Sequence, residues 1–441
     1  MFIENRLAQL AARVRNAYPT PLRLSLWNGH SLDFGPDPKV TIVIPQKRAL
    51  SCFLPPDLMK LGEAYVEGRI LVEGSLRDIF EATARFVQAA ARPDRIQRLL
   101  RAVKHTARGD RKAIQYHYDV SNAFYRLFLD RDMVYSCAYF RSDADTLDQA
   151  QEQKLDYILT KLRIQPGQRL LDIGCGWGAL IIRAAAKYGC IATGITLSQN
   201  QYEFARERIR AEGLEGRCEV RLQDYRDVPE VGGYDRIASV GMFEHVGLKH
   251  LGAYFRKLDA LLAEDGVALN HGITAAHPDS RVVGMGVGQF IDKYVFPDGE
   301  LPHISLVLSE MSAAGFEVAD VESLRRHYAR TCEHWVANIE KSRAEAVRIA
   351  GEKRYRIWSI YLAGCAFGFA RDWMNIYQVL AVKAHRPNPL PPTRDWIYRP
   401  AAGLPDPDLN TPCTVTGESG AASDANRRNA STYSTVPIAF N

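Results

Sequence analysis

The sequence predicts an α/β protein in which a doubly wound parallel sheet follows a smaller α+β domain and precedes a disordered tail. The first observation is the stretch 170–178, LLDIGCGWG, where apolar residues end in an acid and three closely spaced glycines. A strand that is buried on both faces and then turns sharply against a ligand needs that order. The second is the alternation of strand and helix patterns after this stretch, which is typical of a parallel sheet. The third is the proline-rich and small-polar composition of residues 386–441, which cannot build a core.

Length, charge and cysteine content narrow the class of protein. A chain of 441 residues is too long for one ordinary core, so we predict four segments: a small accessory domain over 1–92, a basic linker helix over 93–114, the sheet domain over 115–385 and the tail over 386–441. A net charge of +5 argues against general nucleic-acid binding. The eight cysteines have no zinc-ligand or disulfide spacing, which favours a reducing, cytoplasmic location and no metal.

Two features bear on membrane contact. The longest uncharged apolar run, residues 357–370, is shorter than the roughly 18 to 20 residues that span a bilayer, and no secretion signal is recognised, so we expect only peripheral contact. Residues 92–112 are basic, with four apolar residues at helical spacing: Ile96, Leu99, Leu100 and Val103. Such a helix suits an anionic membrane surface, and it equally suits a solvated helix between domains.

The small domain is predicted from short β-rich runs. Residues 22–27 and 40–44 have strand patterns, residues 62–74 add another strand-like unit, and residues 79–91 have a helical pattern. Nothing in this segment indicates chemistry. We therefore expect a structural accessory domain.

The sheet domain begins with an unusually aromatic stretch, residues 116–140. Aromatic rings stabilise a cation and also pack against fatty chains, but the same rings could simply cover the sheet. A helix around 155–162 ends at Pro166 before the glycine-rich strand. Further strands are predicted at 190–198, 218–223, 234–240, 267–273 and 374–383, with helices at 179–188, 199–212 and within 325–370. The last strand is expected at the edge of the sheet.

The glycine-rich stretch predicts the ligand site. Gly174, Gly176 and Gly178 follow Asp172 at the point where the first strand of the sheet meets its first helix. Their spacing is GxGxG, so the stretch does not match the dinucleotide fingerprint GxGxxG. A parallel sheet binds its ligand at the carboxyl ends of the strands, which is where these glycines lie.

The ends of the next strands indicate which cofactor binds. The second strand ends in Thr196 and Leu197 with Gln201 beyond, in place of the acid that usually binds ribose hydroxyls. Hydroxyl and amide groups can bind the same sugar or an amino-acid group. Asp224 and Tyr225 after the third strand suit an adenine amine and a stacking face. Together these features favour S-adenosylmethionine over a nicotinamide cofactor.

Two later strand ends supply acid–base groups. Glu244 follows the fourth strand, and His271 lies in the fifth. A carboxylate and an imidazole that converge on one crevice are suited to general acid–base chemistry, although a single histidine at a strand end is usually structural. His245 and Cys175 have no clear chemical task and are expected to be structural.

These residues amount to a resemblance. The motifs YHYDVSNAFYRLFLD, MVYSCAYF, LLDIGCGWG, GITLSQNQ, FEHVG, FIDKYVFPDGELP and YLAGCAFGF occur in this order over about residues 60–385. In this arrangement the chain resembles the cyclopropane-fatty-acyl-phospholipid synthase family, including the mycolic acid cyclopropane synthases. The resemblance implies a Rossmann-like S-adenosylmethionine-dependent methyltransferase domain over 115–385. One departure is the stretch 118–122, which lacks the glycine that the family often has in its YDxGN motif.

The resemblance implies an activity and residue roles. The family transfers a methylene group from S-adenosylmethionine to the cis double bond of unsaturated acyl chains of membrane phospholipids, and a bound bicarbonate takes the proton from the resulting cation. By the same resemblance, Cys137 and Ile273 hold the bicarbonate, and Glu244, His271 and Tyr328 orient it. Contacts to S-adenosylmethionine are implied for Tyr135, Ser136, Gly174, Gly176, Thr196, Leu197, Gln201 and Tyr225.

The role of Cys365 and the chemical nature of the lipid product each have more than one interpretation. Cys365 matches a cysteine long regarded as part of the family's active site, but a cysteine in an uncharged apolar helix favours a wall of the acyl pocket. The product could be a cyclopropane or a methyl-branched or methylene-bearing chain, and a relative without catalysis would only bind lipid. The resemblance also implies unsaturated phospholipids at the inner membrane surface as partners, no nucleic acid, and a homodimer.

Overall fold

The computed structural model describes residues 2–53, 58–90, 121–230, 233–278, 290, 293–295 and 300–398. The predicted linker helix over 93–114, the tail beyond residue 398 and parts of the motif over 290–302 lie outside the described residues. The described part of the chain contains a small sheet near the N-terminus and a large sheet after it, within one compact unit.

The small sheet has four strands in the order β2-β1-β3-β4. Strands β1 and β3 pair in parallel, and alternate residues of both point to one buried face. The strands are β1 (Leu22–Leu26), β2 (Ser31–Asp33), β3 (Val40–Ile44) and β4 (Leu71–Glu73). The helices around this sheet are α1 (Phe2–Ala17), α2 (Leu58–Val66) and α3 (Leu76–Ala90).

Two elements of the small sheet region differ from the prediction. The strand-like unit expected at 62–74 is mostly helix α2, and only its end forms β4; Leu61 and Ala64 of α2 are buried one helical turn apart. Helix α1 was not predicted, although Leu7, Leu10 and Val14 repeat at helical spacing and are buried. Both helices cover the apolar face of the small sheet.

The large sheet has seven strands in the order β10-β11-β9-β8-β5-β6-β7. Strands β5 to β9 are mutually parallel, as predicted, whereas β11 runs antiparallel to both β9 and β10. The strands are β5 (Arg169–Ile173), β6 (Ile191–Thr196), β7 (Cys218–Leu222), β8 (Tyr234–Val240), β9 (Leu262–Ala275), β10 (Phe316–Ser323) and β11 (Met374–Lys383). The doubly wound α/β class is therefore confirmed, with an antiparallel addition at one edge.

The helices of the large sheet begin where capping residues allow. Thr146 and Gln149 form a capping box at the start of one helix, and left-handed Gly189 ends the next. The helices are α4 (Asn122–Tyr125), α5 (Leu147–Lys161), α6 (Ala179–Tyr188), α7 (Gln199–Ala211), α8 (Leu251–Leu261), α9 (Ile304–Ala313), α10 (Arg325–Lys341), α11 (Arg343–Ala350), α12 (Glu352–Ala370) and α13 (Asp395–Tyr398). Of the helices that the structure describes, none has the length and apolar character needed to cross a bilayer.

The edge of the large sheet and the start of the tail correct two predictions. Strand β11 is not the edge: β10, which was not predicted, pairs outside it. The predicted tail begins too early, because residues 386–398 pack on the large sheet region. Arg163 donates from Nη1 to the carbonyl of Pro389 at 2.6 Å, and Trp396 packs against the core. Proline-rich backbone can be held by such contacts although it donates few hydrogen bonds itself.

The aromatic stretch forms a core layer and also reaches the ligand site. Phe124, Tyr125 and Phe128 are fully buried and pack with Trp358 of α12. Tyr135, later in the same stretch, packs against the same layer and lines a cleft in the large sheet. The structure therefore confirms the covering role for Phe124, Tyr125 and Phe128, and a role of the stretch toward a cation or an acyl chain stays a prediction.

Candidate active site

A cleft opens at the carboxyl ends of β5, β6 and β8, where a doubly wound sheet is expected to bind its ligand. Most of the residues that the sequence predicted for the cofactor lie in its wall: Tyr135, Ser136, Asp172, Gly174, Gly176, Thr196, Leu197, Gln201, Asp224 and Tyr225. The prediction therefore located one continuous surface, although its elements are far apart in sequence.

The glycine loop explains how backbone lines the cleft. Gly174 and Gly176 adopt left-handed conformations, with φ of +83° and +54°, which side chains rarely tolerate. Gly178 is the exception among the predicted cofactor residues, since it does not line the cleft. A side chain at Gly178 would meet the Cβ of Ala205 at 3.0 Å. Gly178 therefore allows α6 and α7 to pack closely.

The ends of β6 and β7 form the polar part of the wall. The Thr196 hydroxyl donates to Oε1 of Gln201 at 2.8 Å, and both side chains are buried. Asp224 accepts two hydrogen bonds from the Arg226 guanidinium at 2.9 and 2.7 Å. The sequence suggested Asp224 for an adenine amine, but in the structure its charge is already paired with Arg226.

Asp172 lies at the end of β5 with one oxygen unused. Its Oδ1 is buried and has no hydrogen-bond partner among the described residues. Burial raises the pKa of Asp172 to about 7, because a charged carboxylate is poorly solvated there. A buried acceptor in a cleft wall fits a ligand that donates a hydrogen bond or carries positive charge, such as an ammonium group.

Lys154 of α5 also lines the cleft and was not predicted as a site residue. Its side chain is 1% exposed, and Nζ donates to the Ser136 hydroxyl at 2.8 Å. Burial lowers the pKa of Lys154 to about 8, although nearby acids act in the opposite direction. Lys154 shares a helix face with Gln151 and Ile158, three residues before and four after it, and both are buried. Of these two, only Ile158 could have indicated a buried face from the sequence.

Glu244 lies in the short 3₁₀ turn Phe243–His245 that follows β8. Its Oε1 accepts a hydrogen bond from the backbone N–H of Ile273 at 2.6 Å. The other oxygen, Oε2, is buried without a hydrogen-bond partner in the described part of the chain. Burial raises the pKa of Glu244 to about 7. The carboxyl group is thus held by a hydrogen bond at Oε1, while Oε2 can still bind a ligand. Because its pKa is near neutral pH, the group can be either protonated or charged there.

His271 lies in β9, directly opposite Gln378 of β11. The Gln378 amide nitrogen lies 3.4 Å from Nδ1 of His271, and with the amide in this orientation it donates to Nδ1, which assigns the ring proton to Nε2. That Nε2 is buried and has no partner within the described ranges. Burial lowers the pKa of His271 well below its ordinary value, since an imidazolium would be poorly solvated. His271 is therefore a neutral donor with its N–H unused.

His245 follows Glu244 in the same turn and lines the cleft. Burial lowers its pKa to about 4, which keeps the ring neutral. It was expected to be structural, and its position in the cleft wall was not anticipated. Trp177, Met242 and Arg226 line the cleft as well and were also missed.

The remaining predicted catalytic residues lie in an apolar cluster beside the cleft. Cys137, Ile273, Tyr328 and Cys365 belong to one group of packed side chains that also contains Tyr135. Sγ of Cys137 contacts the backbone carbonyls of Ala138 at 3.3 Å and Leu324 at 3.7 Å. Aromatic rings pack around this group. The ring centroid of Trp335 lies 5.2 Å from that of Tyr135 and 5.9 Å from that of Tyr328, and the Phe369 centroid lies 4.5 Å from that of Tyr328.

Two thiols in this cluster, those of Cys137 and Cys365, stay protonated because they are buried. Burial raises the pKa of Cys365 to about 12 and that of Cys137 further, so both are protonated at neutral pH. A protonated thiol is a poor nucleophile. This agrees with a wall position for Cys365.

Glu244 and the apolar cluster are joined through Ile273. The Ile273 N–H holds Glu244, while the Ile273 side chain packs in the cluster with Cys137 and Tyr328. Within the described residues, no hydrogen bond links Glu244 or His271 to Tyr328. The predicted residues therefore converge on one region without forming a closed network.

Comparisons with known proteins agree with this arrangement. A family model described as mycolic acid cyclopropane synthetase matches residues 105–379, and one described as a domain of unknown function matches residues 10–92. A probable fatty acid methyltransferase of Pseudomonas putida is 47% identical over 395 residues, covering 89% of this chain and 100% of that protein. Cyclopropane mycolic acid synthase 1 of Mycobacterium tuberculosis is 40% identical over 279 residues, covering 61% of this chain and 96% of that protein.

Solved structures of cyclopropane synthases are also similar to this chain. Mycolic acid cyclopropane synthase CmaA1, complexed with SAH and CTAB, superposes with a TM-score of 0.58 at 38% identity, covering 62% of this chain and 98% of that one. The cyclopropane synthase MmaA2 from Mycobacterium tuberculosis gives a TM-score of 0.59 at 35% identity, covering 62% and 98%. The chain belongs to the mycolic acid cyclopropane synthetase family, and its large sheet has the Rossmann-like fold of S-adenosylmethionine-dependent methyltransferases.

Proposed function

We propose that this methyltransferase transfers a methylene group from S-adenosylmethionine to the cis double bond of unsaturated phospholipid acyl chains and forms a cyclopropane ring. The observation that carries the proposal is the pair of unused buried polar atoms, Oε2 of Glu244 and Nε2 of His271. Both residues are tied to the apolar cluster through Ile273, whose N–H binds Glu244 and which follows His271 by two residues in β9. Methyl transfer to an alkene needs a cation-tolerant apolar pocket and a means to remove one proton, and these features supply both.

The cleft suits the cofactor in shape and polarity. Backbone at Gly174 and Gly176 leaves room for close approach, and the unused Oδ1 of Asp172 fits the ammonium of an amino-acid group. When bound, S-adenosylmethionine supplies a methyl carbon attached to a positively charged sulfur. Tyr135 lies in both the cleft wall and the apolar cluster, so it would separate the cofactor from the acyl chain.

The apolar cluster would hold the acyl chain and the positive charge that methyl transfer creates. The rings of Tyr135, Trp335 and Tyr328 pack against one another by faces and edges. Aromatic faces attract a cation, and this attraction strengthens where water is excluded. Cys365 and Phe369 of α12 would form the wall of this pocket.

The residues fit a small oxyanion such as bicarbonate. Neutral His271 offers one N–H, and Glu244, with its pKa near 7, can accept a proton from a bound hydrogen carbonate or share one with it. Tyr328, Cys137 and Ile273 would form the rest of its niche. Bicarbonate would supply a proton acceptor without placing a strong permanent base in a greasy site.

The lipid partners, the location of the protein and its oligomeric state are part of the same proposal. Unsaturated phospholipids at the inner face of the membrane would be the partners, the protein would be cytoplasmic and peripheral, and two copies would form a homodimer. The basic segment over 92–112 would attract anionic headgroups, each basic residue contributing about 1 kcal/mol at the surface.

A second candidate function keeps the cofactor and the cation but ends differently. The Pseudomonas putida relative, which aligns over its whole length, is called a probable fatty acid methyltransferase. This favours a fatty-acyl C-methyltransferase that gives methyl-branched or methylene-bearing chains. A relative that binds lipid without catalysis would transfer no methyl group at all.

Product analysis tests these functions. The purified protein is incubated with vesicles of unsaturated phospholipid and methyl-labelled S-adenosylmethionine, with and without bicarbonate, and the lipids are examined by proton NMR. Loss of olefinic signals with new high-field ring protons supports cyclopropanation. Methyl transfer with branched or methylene products selects the second function, and labelled cofactor without any labelled lipid refutes both.

A further inference from the structure

Lys154 is the buried charge in the cleft that the proposed function does not yet use. We propose that Lys154 is a positioning residue that anchors the carboxylate at the amino-acid end of the cofactor, acting through the Ser136 hydroxyl. The inference rests on the proposed function only in that the cofactor is S-adenosylmethionine.

Lys154 is buried at an unusual cost. Its side chain is 1% exposed, and its ammonium donates to the Ser136 hydroxyl. Among the described residues, no carboxylate lies within 4.0 Å of Nζ. Burying an ammonium group without an ion pair costs several kcal/mol, so such groups are retained where a ligand or a function uses them.

The position of Lys154 is fixed from two sides. Gln151, one turn earlier on α5, donates from its amide to the carbonyls of Val134 at 3.2 Å and Ser136 at 2.9 Å. These bonds hold the segment that carries Ser136 against the helix that carries Lys154. The ammonium and the hydroxyl are therefore preorganised before any ligand arrives.

The charges around Lys154 leave it free to bind an anion. The groups whose charges act on it are Asp130, Asp172 and Cys137, and its own charge acts in turn on His271. Asp130 is occupied, since its oxygens accept backbone N–H groups of Asp132 at 2.9 Å and Val134 at 2.8 Å. Burial keeps the Cys137 thiol and the His271 ring neutral.

Asp172 and Lys154 together match a zwitterion. Ser136 accepts a hydrogen bond from Lys154, so its own hydrogen is available for a ligand oxygen. Asp172 presents an unused acceptor in the same wall. An amino-acid group carries a carboxylate and an ammonium on one carbon, and this wall offers a donor side and an acceptor side for them. Adenosine and the sulfur need neither.

The test compares two ligands that differ only at this end. S-adenosylhomocysteine carries the amino-acid group, whereas 5′-methylthioadenosine has the adenosine and the sulfur without it. Binding of both is measured by calorimetry to the full-length protein, to Lys154→Met and to Lys154→Arg. An exposed lysine in the same domain, changed in Lys249→Met, is the matched control.

The expected result is selective. Lys154→Met should weaken S-adenosylhomocysteine binding by about tenfold to a hundredfold, the range for a lost charge-assisted contact, and leave 5′-methylthioadenosine binding within about twofold. Lys154→Arg should restore part of the loss, and Lys249→Met should change neither affinity. Unchanged 5′-methylthioadenosine binding also shows that the variant is folded.

Proton uptake gives a second reading. A carboxylate next to Lys154 stabilises its charged form, so S-adenosylhomocysteine should take up protons on binding near pH 8, and 5′-methylthioadenosine should not. Calorimetry in buffers of different ionisation enthalpy measures this uptake, which Lys154→Met should abolish.

Two results would overturn the inference: equal weakening of both ligands by Lys154→Met, which marks a merely structural lysine, or no weakening of either. Because neither ligand is a lipid substrate, the outcome is independent of whether the lipid product is a cyclopropane. If no lipid is methylated but the ligand preference depends on Lys154, the proposed function fails and this inference stands.

Discussion

At the scale of single residues, burial sets the chemistry of the candidate active site. The side chains of Glu244 and His271 are buried. Burial raises the pKa of Glu244 and lowers the pKa of His271, so it favours the neutral form of each. The hydrogen bond from Ile273 partly opposes this effect at Glu244, so its pKa settles at about 7 and both protonation states are accessible at physiological pH. Such a group can exchange a proton with a bound oxyanion in either direction.

The first prediction concerns turnover in Glu244→Gln. Glutamine keeps the volume and the acceptor for the Ile273 N–H, but its NH₂ group replaces Oε2 and cannot take up a proton. We expect methyl transfer to fall by about 10² to 10⁴, the usual contribution of a proton-transfer group, while S-adenosylhomocysteine affinity stays unchanged. Steady-state kinetics and calorimetry measure the two quantities. Glu207→Gln, at an exposed glutamate of α7, is the control, and unchanged turnover in Glu244→Gln would refute the role.

The second prediction concerns the pH dependence of stability. Because the pKa of Glu244 is higher in the folded protein than its ordinary value of 4.5, the folded state binds more protons than the unfolded state between pH 4.5 and about 7. Full stability from this group is therefore present below pH 4.5 and is lost as the pH rises through about 7, by about 3 kcal/mol at most.

Glu244→Gln should remove this loss. Its melting temperature relative to the unmodified protein should be higher at about pH 8 than at about pH 5. Asp172, which titrates in the same direction, is present in both proteins and cancels. Thermal melts at the two pH values measure the difference. A difference that stays constant with pH would mean that Glu244 is not the titrating group.

At the scale of elements, β9 arranges the candidate site by its register. His271 pairs with Gln378 across the sheet, Gly272 faces the Phe243 ring, and the Ile273 N–H reaches Glu244. Three consecutive residues thus make three different contacts, because strand side chains alternate between faces while the backbone donates sideways. A shift of one residue would exchange the faces and separate all of these groups.

The third prediction tests this register at Gly272. A Cβ at Gly272 would overlap the Phe243 ring, which lies next to Glu244 in the same turn. Gly272→Ala should therefore destabilise the protein by about 1 to 3 kcal/mol and displace Glu244, with reduced turnover. Denaturant unfolding and kinetics measure both effects. Gly216→Ala, where a Cβ meets nothing within 4 Å, is the control.

A second substitution makes this test specific. Phe243→Leu should relieve the overlap, so the double variant should be more stable than the sum of the two single changes predicts. Simple additivity would show that the contact between Gly272 and Phe243 is not the cause.

The elements also show what the sequence could and could not predict. Strands β5 to β9 were predicted because buried parallel strands are continuous apolar runs bounded by glycine or polar residues. Strand β10 was missed because its three acids, Glu317, Asp320 and Glu322, resemble a loop in composition, and the pairing of Glu322 with buried Lys161 has no local sequence pattern. Lys154 was missed for a related reason: a charged residue on a helix is ordinarily solvated, and its burial depends on what the rest of the chain packs against it.

At the scale of the whole molecule, the small sheet region and the large one share an interface on α12 and α10. Phe80 of α3 packs against Phe367 of α12, with ring centroids 5.6 Å apart. Glu340 accepts a hydrogen bond from the Leu76 N–H at 2.7 Å, and Arg356 donates to the carbonyl of Tyr65 at 3.0 Å. Such long-range contacts between distant segments carry no local sequence pattern, so this interface could not be predicted.

Helix α12 contacts both the small sheet region and the apolar cluster beside the cleft. One side of this helix contacts the small sheet region through Gly364 and Phe367. Cys365 of the same helix belongs to the apolar cluster beside the cofactor cleft. Among the residues that the structure describes, none of those lining the cleft belongs to the small sheet region. A disturbance at this interface should therefore reach the acyl pocket through α12 and leave cofactor binding intact.

The fourth prediction is that Gly364→Leu separates these two properties. A Cβ at Gly364 would lie 3.0 Å from Cζ of Phe80, and a leucine would force α3 away from α12. We expect a lower melting temperature, a calorimetric transition that splits in two as the regions uncouple, and reduced transfer to lipid with unchanged S-adenosylhomocysteine affinity. Ala370→Leu, at an exposed position of the same helix, should change none of these. If Gly364→Leu instead weakened cofactor binding and lipid transfer equally, the small sheet region would support the cleft itself, and α12 would not be the element that connects it to the acyl pocket.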